Sequence, residues 1–221
     1  MFVVFEGTDY SGKSTCVEGV YQAALKSNLF DSVVKAHDPG ATELAKQLRE
    51  LLVNREGKKK LSQRTQALMF MAAREDTMEE LLKDQESQRR LVLMDRWTFS
   101  TFIYQVIRPG QSKGPTAALF TTYEQTSPPC MKPDMWFFLD ASDDVLAKRA
   151  EGRGASSHYD LAFKEYARYY RQTLAVFPRM VGWPSAVEIN TSDMTIDETT
   201  EEATRQLFAK VNYDRLWGRK A

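Results

Sequence analysis

The apolar positions of the chain fall into two recurring patterns. Short runs of strand length occur at Phe2 to Phe5, Ser32 to Ala36, Leu91 to Met94, Pro133 to Asp140 and Ala186 to Ile189. Between them, apolar residues recur every three or four positions. Examples are Val17 to Leu25, Thr42 to Val53 with its stripe of Leu44, Ala45, Leu48, Leu51 and Leu52, and Ser62 to Leu82 with Leu68, Met69, Ala72, Ala73 and Met78. A near-continuous apolar run suits a strand buried on both faces, whereas helical spacing suits one face laid on a sheet. The same spacing predicts helices from about Ser100, over Ala117 to Glu124, Asp143 to Arg149, Leu161 to Phe177, and Thr195 to Val211. Strands alternate with helices throughout, so the chain predicts one α/β domain over 1–221: a three-layer sandwich with a central, mainly parallel sheet covered on both faces. In such sheets ligands bind outside the carboxyl ends of the strands.

Punctuation between the elements is equally regular. His37-Asp-Pro-Gly40 forces a turn after the second strand, and Arg55 to Lys60 reads as a charged connector. Gly110 to Pro115 and Ser127 to Cys130 break the chain. Glu151-Gly-Arg-Gly154-Ala-Ser-Ser has the composition of a mobile flap, a short lid over about 150–161. The aromatic stripe Phe163, Tyr166, Tyr169 and Tyr170 reads as core.

Composition narrows the partners. Thirty Lys and Arg balance thirty Asp and Glu in 221 residues, so no strong global field marks a nucleic-acid or membrane-surface binder, and the partner is expected to be small. Cys16 and Cys130 are the only cysteines, too few for a disulfide framework and without metal-ligand spacing. No signal peptide and no membrane-length apolar run is visible, which fits a cytoplasmic setting.

One stretch carries explicit chemistry. The first strand leads into Gly7-Thr8-Asp9-Tyr10-Ser11-Gly12-Lys13-Ser14-Thr15, and a helix follows. That is the strand, loop, helix order of a nucleotide-binding P-loop, and it places the domain in the P-loop NTPase type. The glycines let successive backbone N–H groups point at phosphate oxygens, and the helix N-terminus favours the anion. Lys13 is positioned to reach the β- and γ-phosphates, and Ser14 to offer a hydroxyl to Mg²⁺. Leu91-Val-Leu-Met94 ending in Asp95-Arg96 resembles a Walker B element. A GTPase would also carry an Asn-Lys-x-Asp motif, and none is present. Arg49, Arg74 and Arg96 each lie beside or within an element aimed at the same sheet edge. Two phosphoryl groups brought together need several fixed cations, because phosphoryl transfer is catalysed mainly by positioning and charge stabilisation.

On these residues the chain resembles the thymidylate kinase family, and the resemblance covers nearly the whole length. Phe5-Glu-Gly-x-Asp-x-x-Gly-Lys-Ser-Thr15 is close to that family's P-loop. Asp95-Arg96-Trp-x-x-Ser100-Thr101-x-x-Tyr104-Gln105 is similar to its Asp-Arg-Tyr signature. Asp38-Pro39-Gly stands at the family's Glu-Pro-Gly, Phe70-x-x-x-Arg74 matches its base-binding pair, and Lys148-Arg149 precedes the lid. The resemblance implies transfer of the ATP γ-phosphate to dTMP with Mg²⁺, in a cytosolic homodimer. It further implies that Asp95 orients the metal through water, that Asp9 lies near the acceptor sugar and the metal, and that Arg49 and Arg96 hold the dTMP phosphate. Phe70 is implied to stack on thymine, with Arg74, Ser100, Thr101 and Gln105 along the base's polar edge. The resemblance also implies that Tyr104 presses on the sugar, that Asp38, Pro39 and Tyr159 complete the dTMP site, and that Arg149 packs near adenine. A broader deoxynucleoside monophosphate kinase is the nearest alternative, and a non-catalytic nucleotide-binding subunit a remoter one.

The chain departs from the family at informative places. Family members place a catalytic arginine in the P-loop or in the lid. Here Tyr10 occupies the P-loop position, leaving Arg153 as the lid candidate. His37 stands for the usual arginine before the acid, and Ala41 for a second glycine.

Overall fold

Five strands form one parallel sheet in the order β2-β3-β1-β4-β5. The structure is a computed structural model and describes residues 1–53, 61–83, 89–107, 114–153, 163–175 and 185–217. Strand β1 (Phe2–Gly7) is central, between β3 (Arg90–Asp95) and β4 (Met135–Asp140), while β2 (Ser32–His37) and β5 (Ala186–Asn190) form the edges. Register brings Phe5 beside Asp95 and Asp95 beside His37, so three strands end at one level. The phosphate loop, the turn after His37 and Asp95-Arg96 therefore emerge side by side.

The continuous apolar runs resolve into two cores because successive side chains alternate across a strand. Val3, Phe5, Leu91, Leu93, Phe137 and Leu139 share one core with α1 (Lys13–Lys26) and α8 (Ile196–Leu216). Phe2, Val4, Met94, Trp136 and Phe138 share the other with α3 (Gln63–Lys83), with the helix that begins as α4 (Thr98–Thr101), and with α7 (Phe163–Leu174). Tyr166 and Tyr170 of the aromatic stripe lie in this second core, as predicted. Helix α2 (Glu43–Val53) packs on α3. α4 continues without a break as a π-helix over Phe102–Val106. The Thr195-x-x-Glu198 pattern forms a full capping box at the start of α8, which satisfies two N–H groups reciprocally.

Two boundaries correct the sequence reading. Helix α5 (Gly114–Thr126) begins at Gly114, so Pro115 sits in a first helical turn, where its missing N–H costs nothing, rather than in a break. Helix α6 (Asp143–Arg153) runs past Gly152 to Arg153, so the start of the expected flap is helical. Asp143 and Asp144 in its first turn and Arg153 in its last complement the helix dipole and help offset the glycine. The remainder of that flap, the connector Arg55 to Lys60 and Gly110 to Lys113 lie outside the described residues.

Candidate active site

A cleft of about 380 Å³ opens at the carboxyl ends of β1, β2 and β3. Of the residues singled out in the sequence, its walls hold Asp9, Tyr10, Gly12, Lys13, Ser14, Thr15, Asp38, Pro39, Arg49, Phe70, Asp95, Arg96, Ser100, Thr101, Tyr104, Gln105 and Arg153. A neighbouring cavity of about 250 Å³ is walled by Tyr10, Ser11, Gly12, Thr15, Arg149, Arg153 and residues at the start of α8. The two share the phosphate loop and Arg153. Tyr159 lies outside the described residues.

The loop geometry follows from its glycines. Gly12 has φ 88°, a conformation that L side chains adopt rarely, and a Cβ at Gly7 would lie 2.4 Å from the carbonyl oxygen of Leu139. Tyr10 also has a positive φ, 67°, and its ring packs with Ala141, Leu146 and Ala167, which hold the loop down where other family members are expected to carry an arginine. Thr8 donates to Asp140 at 3.1 Å. Lys13 is buried and donates to the Thr8 carbonyl at 3.2 Å. Its pKa is lowered to about 8 by burial first and by the Arg96 charge second, against the pull of Asp95, Asp9 and Glu6.

Ser14 donates to Asp95 Oδ2 at 2.7 Å, joining the loop to the end of β3. Burial works to raise the Asp95 carboxyl. His37, Lys13 and Arg96 outweigh it and hold the group well below the usual carboxylate range, so Asp95 is ionised. Its Oδ1 is buried and accepts no hydrogen bond among the described residues. His37 lies between two charged partners, its Nε2 against Arg49 Nη1 and its Nδ1 3.7 Å from Asp95. An arginine can only donate, so in this contact Nε2 is the acceptor. Arg49 also donates to the Pro39 carbonyl at 3.2 Å.

Arg96 has φ 69°, unusual for so large a residue, and its backbone N–H bonds Phe5 O at 2.8 Å, so the strand ladder itself fixes the turn. Its guanidinium pairs with Asp9 and donates to Gly7 O at 3.2 Å and Ser100 Oγ at 3.0 Å. Tyr104 donates to the other Asp9 oxygen at 2.9 Å. Burial, then the Asp9 charge, keeps the phenol well above its ordinary pKa, so Tyr104 remains protonated.

Arg74 does not line the cleft. It is fully buried one layer behind, paired with Asp38 at 2.5 Å, donating to Thr101 Oγ1 at 2.8 Å, and stacked over Trp97 at 4.8 Å. The sequence places it at the base edge; the structure puts Asp38 and Thr101 between it and the cleft wall. Its Nη1 is buried without a hydrogen-bond partner among the described residues. Arg149 lies over the phosphate loop, donating to Tyr10 O at 3.3 Å and to Thr191 O at 2.8 Å. Trp97 and Glu6 were not singled out in the sequence. Both are buried at the base of α4, and only the continuity of the motif Asp95-Arg96-Trp97 hinted at the first.

Among the described residues no helix is long and apolar enough to cross a membrane, and no group of three His, Cys, Asp or Glu side chains is placed to hold a metal ion. The family model for thymidylate kinase matches residues 5–202. The thymidylate kinase of Acinetobacter baylyi is 32% identical over 78% of this chain and 82% of its own length, and that of Kosmotoga olearia is 27% identical over 94% and 95%. The solved thymidylate kinase of Candida albicans superposes with a TM-score of 0.70 at 22% identity, covering 97% of this chain and 92% of its own. With the family model matching nearly the whole length and a relative 32% identical over most of both chains, the chain belongs to the thymidylate kinase family.

Proposed function

We propose that the cleft transfers the γ-phosphate of ATP to dTMP to give dTDP. The observation that carries this reading is convergence: the phosphate loop and two acceptor-side arginines, Arg49 and Arg96, line one cleft. The cavity beneath Arg149 is the proposed adenine site, which sets the ATP phosphates along the loop toward Lys13. Arg49 and Arg96 would hold the dTMP phosphate dianion, for which forked guanidinium donors are suited. Phe70 would stack on the base. Tyr104, held against Asp9, would close the space beside the deoxyribose, and Asp9 would receive the sugar hydroxyl.

Mg²⁺ fits the donor set. Ser14 offers a hydroxyl, and Asp95 an ionised carboxylate with a buried, unpartnered oxygen, which suits a hard cation that keeps most of its waters. When bound, the ion would neutralise charge on the donor phosphates. Lys13 would stabilise charge on the transferring group. Arg153, on the walls of both cavities, is the proposed replacement for the arginine missing at Tyr10, with the lid beyond it. Leu44 and Leu51 of α2 and Leu68 of α3 are about half exposed on adjoining helices, an apolar face that we assign to a second copy in a homodimer. With balanced charge and two unpaired cysteines, we place the enzyme in the cytoplasm.

An acceptor panel tests the reading. With ATP and Mg²⁺, dTMP is expected to support the fastest ADP release, ahead of dUMP, dCMP and dGMP. Equal rates across the panel would favour a broader deoxynucleoside monophosphate kinase, and no turnover with any acceptor would overturn the assignment.

A further inference from the structure

Glu6 ends the buried run of β1 with a carboxylate that has no exposure to solvent and does not line the cleft. Alternation along β1 sends it to the same side as Phe2 and Val4, toward the layer that contains α4. Burial raises its pKa, while the Arg96 charge and the bonds from Ser100 and Trp97 pull it back. Its partners explain why an acid is kept there. One oxygen accepts the backbone N–H of Trp97 at 2.7 Å and that of Ser100 at 3.0 Å, and the other accepts the Ser100 hydroxyl at 2.6 Å.

The Ser100 N–H is a donor that an N-cap side chain ordinarily satisfies, and the Trp97 N–H is the one that the third residue of a capping box takes. Trp97, at the N-cap position, makes no side-chain cap bond, and an indole has no acceptor to offer. The cap of the acceptor helix is thus supplied from a strand more than ninety residues away in sequence. The chain of contacts continues into the cleft. Ser100 donates to Glu6 and accepts from Arg96 Nη1 at 3.0 Å, while Arg96 pairs with Asp9, which accepts from Tyr104.

Resting on the acceptor-site reading above, we propose that Glu6 is a positioning residue for the acceptor nucleotide. Its carboxylate seats the helix from Thr98 to Val106 against β1 and, through Ser100, aims Arg96. A glutamine cannot fill this role. Its one acceptor oxygen can serve the two backbone N–H groups, but its amide then meets Ser100 Oγ as a donor, so the hydroxyl hydrogen loses its acceptor and the relay to Arg96 is reset.

The test is steady-state kinetics of Glu6→Gln, Ser100→Ala and the double variant in the full chain, with dTMP binding to the unmutated enzyme measured alongside. A lost buried hydrogen bond of this kind corresponds to about tenfold. Glu6→Gln is therefore expected to raise the KM for dTMP and lower kcat by about that factor, with the KM for ATP unchanged. Ser100→Ala keeps the backbone bonds and should reproduce the rise in KM for dTMP. The double variant should fall short of the product of the two single effects, because both act through one relay. A role confined to fold stability would lower the melting temperature and move both KM values together or neither, and that result overturns the proposal. Strict multiplicativity of the two substitutions would overturn the relay. Should Glu6→Gln fail to fold, Ser100→Ala decides by the same split between dTMP and ATP. Absence of dTMP binding to the unmutated enzyme would instead count against the acceptor-site reading.

Discussion

The proposed donor and acceptor halves of the cleft are built by opposite means. On the donor side a contiguous loop of nine residues, Gly7 to Thr15, presents backbone N–H groups and one lysine, and its conformation is dictated locally by glycine. The proposed acceptor side is assembled from polar groups far apart in sequence: the ion pairs of Asp38 with Arg74 and Asp9 with Arg96, the His37 ring with Arg49, and the buried Glu6 with Trp97 and Ser100. Backbone dipoles can grip a triphosphate in almost any chain that turns the same way. A phosphate joined to a particular sugar and base needs side chains held in fixed relation, and burying paired charges supplies that rigidity at a desolvation cost.

Substitutions can break this comparison at its donor end first. Lys13→Ala is expected to lower kcat by about 10³-fold or more while leaving the melting temperature nearly unchanged, because the lysine serves charge on the transferring group. Turnover within about tenfold of the unmutated enzyme would detach catalysis from the loop. Arg153→Ala, between the two halves, should cost about 10²- to 10³-fold in kcat with little change in either KM, the pattern of a contact made in the transition state. Unchanged kcat would move the search for the missing cation to Arg149.

A smaller catalytic effect is expected from Arg74→Ala, on the proposed acceptor side, with about ten- to a hundredfold weaker dTMP binding and ATP affinity retained. It should also reduce stability by about 3–5 kcal/mol, since Asp38 would be left as a buried charge without its partner. Thermal melts beside the kinetics check both parts. A stable variant with weakened ATP binding would show that the pair does not belong to the acceptor half at all.

The same division explains what could be read before the structure. The sheet, the order of its elements and the donor loop were legible because each depends on local spacing: apolar runs for β1, β3 and β4, and glycine positions for the loop. Among the proposed acceptor residues, the shared cleft position of Arg96, Ser100, Thr101, Tyr104 and Gln105 was legible because they belong to one motif, and all line the cleft. Arg74 was found but misplaced, since its partner Asp38 lies 36 residues away and nothing in the pattern of α3 announces a buried ion pair. Glu6 stood only as an unassigned letter of the phosphate-loop motif, and its role as a remote cap depends on the β1–β3 register. The helical start of the flap was missed because Gly152 resembles a hinge, while the acidic first turn and basic last turn of α6 argue for helix.

The π-helix from Phe102 to Val106 has a consequence for how this pocket can change over generations. A π segment holds more residues per turn than the helix around it. The wide turn absorbs one residue more than an ordinary turn, so removing one residue there would restore ordinary winding and leave the flanking turns in phase. Inside that turn Tyr104 and Gln105 would change the face they present, while Ser100, Thr101, the sheet and the phosphate loop stayed in place. A single codon gained or lost in this stretch could therefore recut the nucleoside pocket in one step, a route that substitutions at the same positions do not offer.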